Sequence, residues 1–163
     1  MNNIIVVRLG EIKISNNSQD VLVAYGLGSG LGIAMYDPVA KVAGMLHAVL
    51  PTCNLPSNND ESCTKYVFCG IEVLLKKITE AGGQRSRIVI RMAGGAKMVT
   101  ATTLSDIMNI GQRNIDAAHQ KLKELNMKVA GEEVGGNIGR TVRFYVSNGR
   151  VAVRMMGGKE RDV

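Results

Sequence analysis

The sequence predicts a mixed α+β fold in which strands and helices do not alternate strictly. Short apolar, partly β-branched runs separated by turn residues fill the first fifty positions. The hydrophobic spacing then changes to a helical period, and strand-like runs return after the last helix. The resulting order, ββββ-α-β-α-βββ, departs from the regular repeat of a doubly wound sheet. A chain of 163 residues, 45% hydrophobic and 21% charged, suits one domain over 1–163 with a core of its own.

The four N-terminal strands are Ile4–Val7, Val21–Ala24, Leu31–Tyr36 and Val42–Leu50, with Asp37-Pro38 setting a hairpin around Asp37–Lys41. The polar stretch Pro51–Asp60 carries asparagines and prolines and is the best candidate for a mobile flap or surface loop. Val67, Ile71, Leu74, Leu75 and Ile78 recur at helical spacing, and Ala81-Gly82-Gly83 stops that helix. Arg87–Ala93 is a strand ending in Gly94-Gly95. The second helix opens on Asn109 with Gln112 three residues on, a capping-box-like start. Its apolar face is Gly111, Ile115, Ala118, Leu122 and Leu125, and Asn126 closes it. Met127–Glu132, Arg140–Val146 and Val151–Met155 complete the chain, the last two joined at Ser147-Asn148-Gly149.

Composition narrows the function. No apolar run approaches bilayer length, and Met1-Asn2-Asn3-Ile4 does not resemble a signal peptide, so a cytoplasmic protein without membrane insertion is expected. Cys53, Cys63 and Cys69 are odd in number and irregularly spaced, which fits reduced thiols; with only His47 and His119 to add, no metal site is expected. The net charge is +6, with Arg85, Arg87 and Arg91 at one probable strand and Arg143, Arg150 and Arg154 later in the chain. Aromatic residues make up only 4%, so solvated basic faces or docking to an acidic protein are favoured over nucleic acid. Dinucleotide, P-loop and serine-elbow patterns all fail on spacing, and no cofactor is expected.

One stretch stands apart: Tyr25-Gly26-Leu27-Gly28-Ser29-Gly30-Leu31-Gly32, with His47 seventeen residues after Gly30. An extended backbone here would put four glycines on one face, open to close approach by a chain or ligand, like the floor of a site. His47 alone, within the apolar Gly44–Leu50, reads as a satisfied core histidine. Met35, Met45, Met92, Met98, Met108, Met155 and Met156 read as core filler, and Gly135–Arg140 as a tight turn rather than an anion nest.

Taken together the pieces are specific. Gly26-Leu27-Gly28-Ser29, Ala34-Met35-Tyr36-Asp37-Pro38, Gly44–Pro51, Ala93–Met98, Asn109–Asn114 and Gly135–Arg140 occur in order. This set closely resembles the chemoreceptor glutamine deamidase family, CheD, along nearly the whole chain. The resemblance implies a mixed β-sandwich with helices packed outside, shared with certain deamidating toxins. It implies a cysteine-dependent amidohydrolase of chemotaxis, in which a thiolate attacks a receptor glutamine carboxamide, ammonia leaves and water frees glutamate. Partners would be chemoreceptor cytoplasmic helices and a CheC-like phosphatase, with Gly28, Ser29 and Met98 in the substrate or partner groove.

Residue by residue, the resemblance also exposes a departure. The histidine is retained as His47. The nucleophilic cysteine falls at Gly30, and the hydroxyl-bearing threonine falls at Ala24. Loss of such a nucleophile costs roughly 10⁶ in rate, about 8 kcal/mol. The expectation is a binding or regulatory protein with impaired catalysis. The alternative is an active deamidase using Cys53 or a His47-assisted water. The paired change at Ala24 argues for natural divergence over an engineered substitution at Gly30.

Overall fold

The computed structural model describes residues 2–52, 63–98 and 109–163. Strands β1 (Asn3–Val6), β3 (Asp20–Leu27), β8 (Arg140–Tyr145), β9 (Val151–Met155) and β10 (Glu160–Asp162) form one five-stranded sheet in the order β1-β3-β8-β9-β10. A second sheet is made of β2 (Ile12–Ser15), β4 (Leu31–Asp37), β5 (Val42–Ala48), β6 (Val89–Gly94) and β7 (Val129–Val134), in the order β2-β5-β4-β6-β7. The β1/β3 and β6/β7 pairs are parallel and the rest antiparallel, so both sheets are mixed.

The sheets pack face to face and the helices cover one outer face. Leu22, Leu27, Ala34, Tyr36, Met45, Val142, Phe144 and Val153 fill the space between the sheets. On the other side of the second sheet, Ile33, Met35 and Leu46 meet Ile71, Leu74 and Ile78 of α1 (Val67–Glu80) and Ile115 and Leu122 of α2 (Ile110–Glu124). Every residue of β4 and β5 is therefore buried, because both faces of these strands are covered. The fold is the expected β-sandwich with helices outside. No helix among the described residues is long and apolar enough to cross a membrane.

Most expected elements lie within two residues of their observed bounds. The Asn109 side chain accepts from the Gln112 amide and caps α2, and Asn126 takes the left-handed conformation (φ 56°) just beyond its end. Several readings need correction. Two short strands, β2 and β10, were not expected. The four glycines of the run do not share one face: β3 ends at Leu27, β4 begins at Leu31, and the chain crosses between sheets at Gly28–Gly30 after a register shift at Gly26 (φ 63°). Met35, Met45 and Met92 are core residues, but Met98 and Met156 are exposed, and Met108 lies outside the described residues. Arg87 is not a solvated charge but a fork on Asp37. Gly135 and Gly136, both with positive φ, join β7 to β8 as a turn. The anticipated flap lies mostly outside the described residues, as does Cys53.

Candidate functional site

The two-residue period of β5 puts Ala43, Met45 and His47 on the face toward the other sheet, with His47 at the end of that row. The connection between β1 and β2 wraps its backbone. Gly10 N–H donates to the His47 carbonyl (2.7 Å), and His47 N–H donates to the Glu11 carbonyl (3.0 Å). On the ring, Nδ1 lies 3.1 Å from the Val7 carbonyl. A carbonyl can only accept, so Nδ1 carries the proton and Nε2 keeps its lone pair in the neutral ring. His47 is 3% exposed, and burial lowers its pKa, partly opposed by the Val7 hydrogen bond and the charge of Glu11. The imidazole is fixed in tautomer and orientation, with Nε2 directed at the glycine turn.

A Cβ placed on Gly30 would stand 3.6 Å from His47 Nε2 and 3.7 Å from Cδ2. A side chain at position 30 would therefore meet the histidine's free nitrogen. The same Cβ would lie only 2.7 Å from the Ala48 carbonyl oxygen, closer than real Cβ atoms approach main chain, so any residue larger than glycine here requires a shift of the backbone. The turn is anchored through its carbonyls. Gly95 N–H donates to Gly30 O (2.9 Å), Ala96 N–H to Gly28 O (2.9 Å) and Asn114 Nδ2 to Ser29 O (2.8 Å). The Ser29 and Gly30 amides donate to no backbone acceptor among the described residues.

The other expected site residues divide in two. Ala24 is fully buried on β3, in the inter-sheet cluster, and offers no polar atom beyond its backbone. Met98 reaches the site: its Cγ lies 3.1 Å from where a Gly28 Cβ would stand, and it is 51% exposed. Sequence reasoning missed two groups. The Val7 carbonyl orients His47, and a main-chain oxygen leaves no mark in a sequence. Asn114, fully buried, gives Nδ2 to both Ser29 O (2.8 Å) and Val49 O (3.0 Å), tying the glycine turn to the strand end after His47. Its place in Asn109–Asn114, on the α2 face that carries Gly111 and Ile115 inward, was the available signal.

Cys63 and Cys69 pack with Val73 in a cluster of their own, where the Cys69 thiol donates to the Cys63 carbonyl. No group of three or more His, Cys, Asp or Glu able to hold a metal ion occurs among the described residues.

A two-sheet sandwich with an outer helix layer and a tautomer-fixed histidine facing a glycine turn defines the class: a small α+β protein with a histidine-centred site between its sheets. Comparison gives the family. Residues 49–155 match the family described as "CheD chemotactic sensory transduction". The chain is 41% identical over 154 residues to a probable chemoreceptor glutamine deamidase CheD of Caldanaerobacter subterraneus, covering 94% of each. It is 35% identical to the chemoreceptor glutamine deamidase CheD of Halalkalibacterium halodurans, over the full length of both. It is also 35% identical to a probable CheD of the archaeon Archaeoglobus fulgidus, covering 98% of each. The chain belongs to the CheD family.

Proposed function

We propose that this chain is a CheD-family chemotaxis protein whose thiol chemistry is lost and which acts by binding, taking a chemoreceptor helix or a CheC-like phosphatase at the former active-site groove. The observation that carries the reading is the 3.6 Å between a Gly30 Cβ and His47 Nε2. A cysteine there would present sulfur to a histidine already held in the right tautomer, the arrangement that activates a thiol. Glycine presents only hydrogen. Ala24 removes the hydroxyl of the family pattern, and His47 is oriented by the Val7 carbonyl instead.

The binding half of the reading rests on the rim. Tyr25 (48% exposed), Met98, Ile138 and Met156 are large, exposed apolar residues close to the glycine turn. Tyr25 precedes Gly26, Met98 lies against Gly28, and a Gly139 Cβ would stand 3.7 Å from Leu27 O and 3.9 Å from Met156 Cε. Exposed apolar side chains gathered at one place mark an interaction surface.

The test incubates the unaltered chain with receptor cytoplasmic fragments and follows glutamine-to-glutamate conversion by mass spectrometry, with the Halalkalibacterium relative as positive control. Expected are no conversion above background and retained binding of the fragment or a CheC-like phosphatase. Conversion by the unaltered chain that disappears in His47→Ala would overturn the proposal in favour of a His47-assisted water route.

A further inference from the structure

We propose that Arg140 is the positioning residue of the site, the group that holds Gly30 opposite His47; the inference rests on the reading of the groove as a binding site. Position 140 is anomalous for its row. Arg140, Val142 and Phe144 alternate on the buried face of β8, and Val142 and Phe144 belong to the apolar cluster between the sheets. Arg140 pairs with Leu27 and Met155, so a guanidinium opens a row that is otherwise hydrocarbon. It is 3% exposed, and its buried Nε has no hydrogen-bond partner among the described residues. Burying a cation and orphaning a donor both cost stability, and such breaks of pattern concentrate at functional positions.

What the guanidinium gains is a grip on two turns. Arg140 Nη1 donates to the Gly94 carbonyl (2.6 Å) and Nη2 to the Gly135 carbonyl. Gly135 N–H itself donates to Gly94 O (2.9 Å), and Lys97 N–H donates to Gly136 O (2.8 Å), so the fork closes the end of β6 against the β7–β8 turn. The charged groups that act on it, Glu133 and Arg161, pair with each other at 2.6 Å. Arg140 is therefore committed to main-chain oxygens. A planar fork can hold two carbonyls on separate turns at fixed angles, which the point charge of an ammonium cannot do.

The grip reaches the glycine turn through one peptide group. The Gly94 carbonyl held by Arg140 and the Gly95 N–H belong to the same peptide, and that N–H donates to Gly30 O (2.9 Å). Hydrogen bonds in series polarise one another, so the buried charge strengthens the bond on the far side of the peptide. Gly94 lies so close to the Gly30 carbonyl that a Cβ there would strike it, and its φ of 113° suits glycine. The next amide, Ala96 N–H, holds Gly28 O (2.9 Å). With Asn114 on Ser29 O, every carbonyl of Gly28–Gly30 is taken by the scaffold, and the Ser29 and Gly30 amides are the donors left for a partner's acceptor. The Ala93–Met98 and Gly135–Arg140 motifs thus converge on the carbonyl of the residue that faces His47.

The experiment compares the unaltered chain with Arg140→Gln, Arg140→Lys and a core control, Phe144→Leu, by amide hydrogen exchange and by affinity for the receptor cytoplasmic fragment, well below every melting temperature. Arg140→Gln should speed exchange at Gly95 and Ala96 about tenfold or more beyond the change at Ile33 and Leu46, which report global stability. It should also weaken fragment binding about tenfold. Arg140→Lys, with the charge but not the fork, should fall between Arg140→Gln and the parent. Phe144→Leu should lower the melting temperature while leaving the affinity and the local exchange difference unchanged. The exchange readout needs no partner, so an unaltered chain that fails to bind the fragment refutes the binding reading and leaves Arg140 to be judged by exchange. If neither Arg140 variant folds, the unaltered chain decides: its Arg140 Nη protons should give separate, slowly exchanging signals, and averaged signals would overturn the proposal. Gly95 and Ala96 exchange that merely follows the global change, unchanged affinity in folded Arg140→Gln, or an equal loss of affinity in Phe144→Leu would overturn it as well.

Discussion

The two ends of β4 each carry a buried polar cluster, and they are built on opposite principles. At the C-terminal end the Asp37 carboxylate, fully buried, accepts from Arg87 Nε and Nη2 and from the amides of Val39, Ala40 and Gln84. Its pKa is driven well below the usual carboxylate range, first by Arg87, with burial opposing and the amides assisting. At the N-terminal end His47 has one ring hydrogen bond and a spare lone pair directed at Gly30. A saturated cluster can only hold structure. A cluster with an unused valence is where a reacting or binding group would go.

Breaking the saturated end should cost most. Asp37→Asn keeps the volume but removes the charge that Arg87 grips and puts an amide among donors, so a loss of about 3 kcal/mol is expected in denaturant unfolding. The same carboxylate gives acid sensitivity. Its folded pKa is depressed, so its contribution is complete above the unfolded value of about 3.9 and declines as pH falls below about 4. Asp37→Asn should flatten that part of the stability profile. An unchanged profile would remove Asp37 from its role as anchor of the β4–β5 turn.

The Gly30 end should respond less to each change. Asn114→Ala loses two bonds to buried carbonyls and should destabilise by about 2 kcal/mol; a thermal melt matching the parent would show that the turn does not depend on α2. Gly30→Ala should cost about 1 kcal/mol net, overpacking against Ala48 O being partly offset by reduced freedom of the unfolded chain. His47 should titrate below its ordinary value, visible in its ring proton shifts. Because burial lowers the folded pKa, the unfolded chain binds the proton more readily, so stability declines as pH falls through about 6.5 and levels off below the folded pKa. A midpoint above 6.5 would contradict the buried, neutral ring. Met98→Ser should move stability by less than about 0.5 kcal/mol yet weaken receptor-fragment binding, separating the rim from the scaffold.

The sequence was legible where periodicity was strong. Helix α2 announced its cap, face and stop, and the buried strands β4 and β5 read as continuous apolar runs. β10 was hidden because Glu160-Arg161-Asp162 has no strand preference of its own and is ordered by pairing with β9. β2 was missed because Ile12-Lys13-Ile14-Ser15 alternates over only four residues. At the site, His47 and Gly30 could be picked out by their spacing within an ordered motif set. The crossing of Gly28–Gly30 between sheets could not, since alternate glycines read equally well as one strand. Arg87 and Arg91 looked like surface charge because a sequence does not show which arginines face Asp37 or the interior.

The closeness of position 30 to the Ala48 carbonyl sets what a larger residue there would require. A reactive side chain returning to position 30 would meet main chain at 2.7 Å instead of an empty seat, so recovery requires the end of β5 to retreat as well. Under the proposed reading, restoring thiol chemistry would take a cysteine at position 30, a hydroxyl at position 24 and a moved end of β5 together.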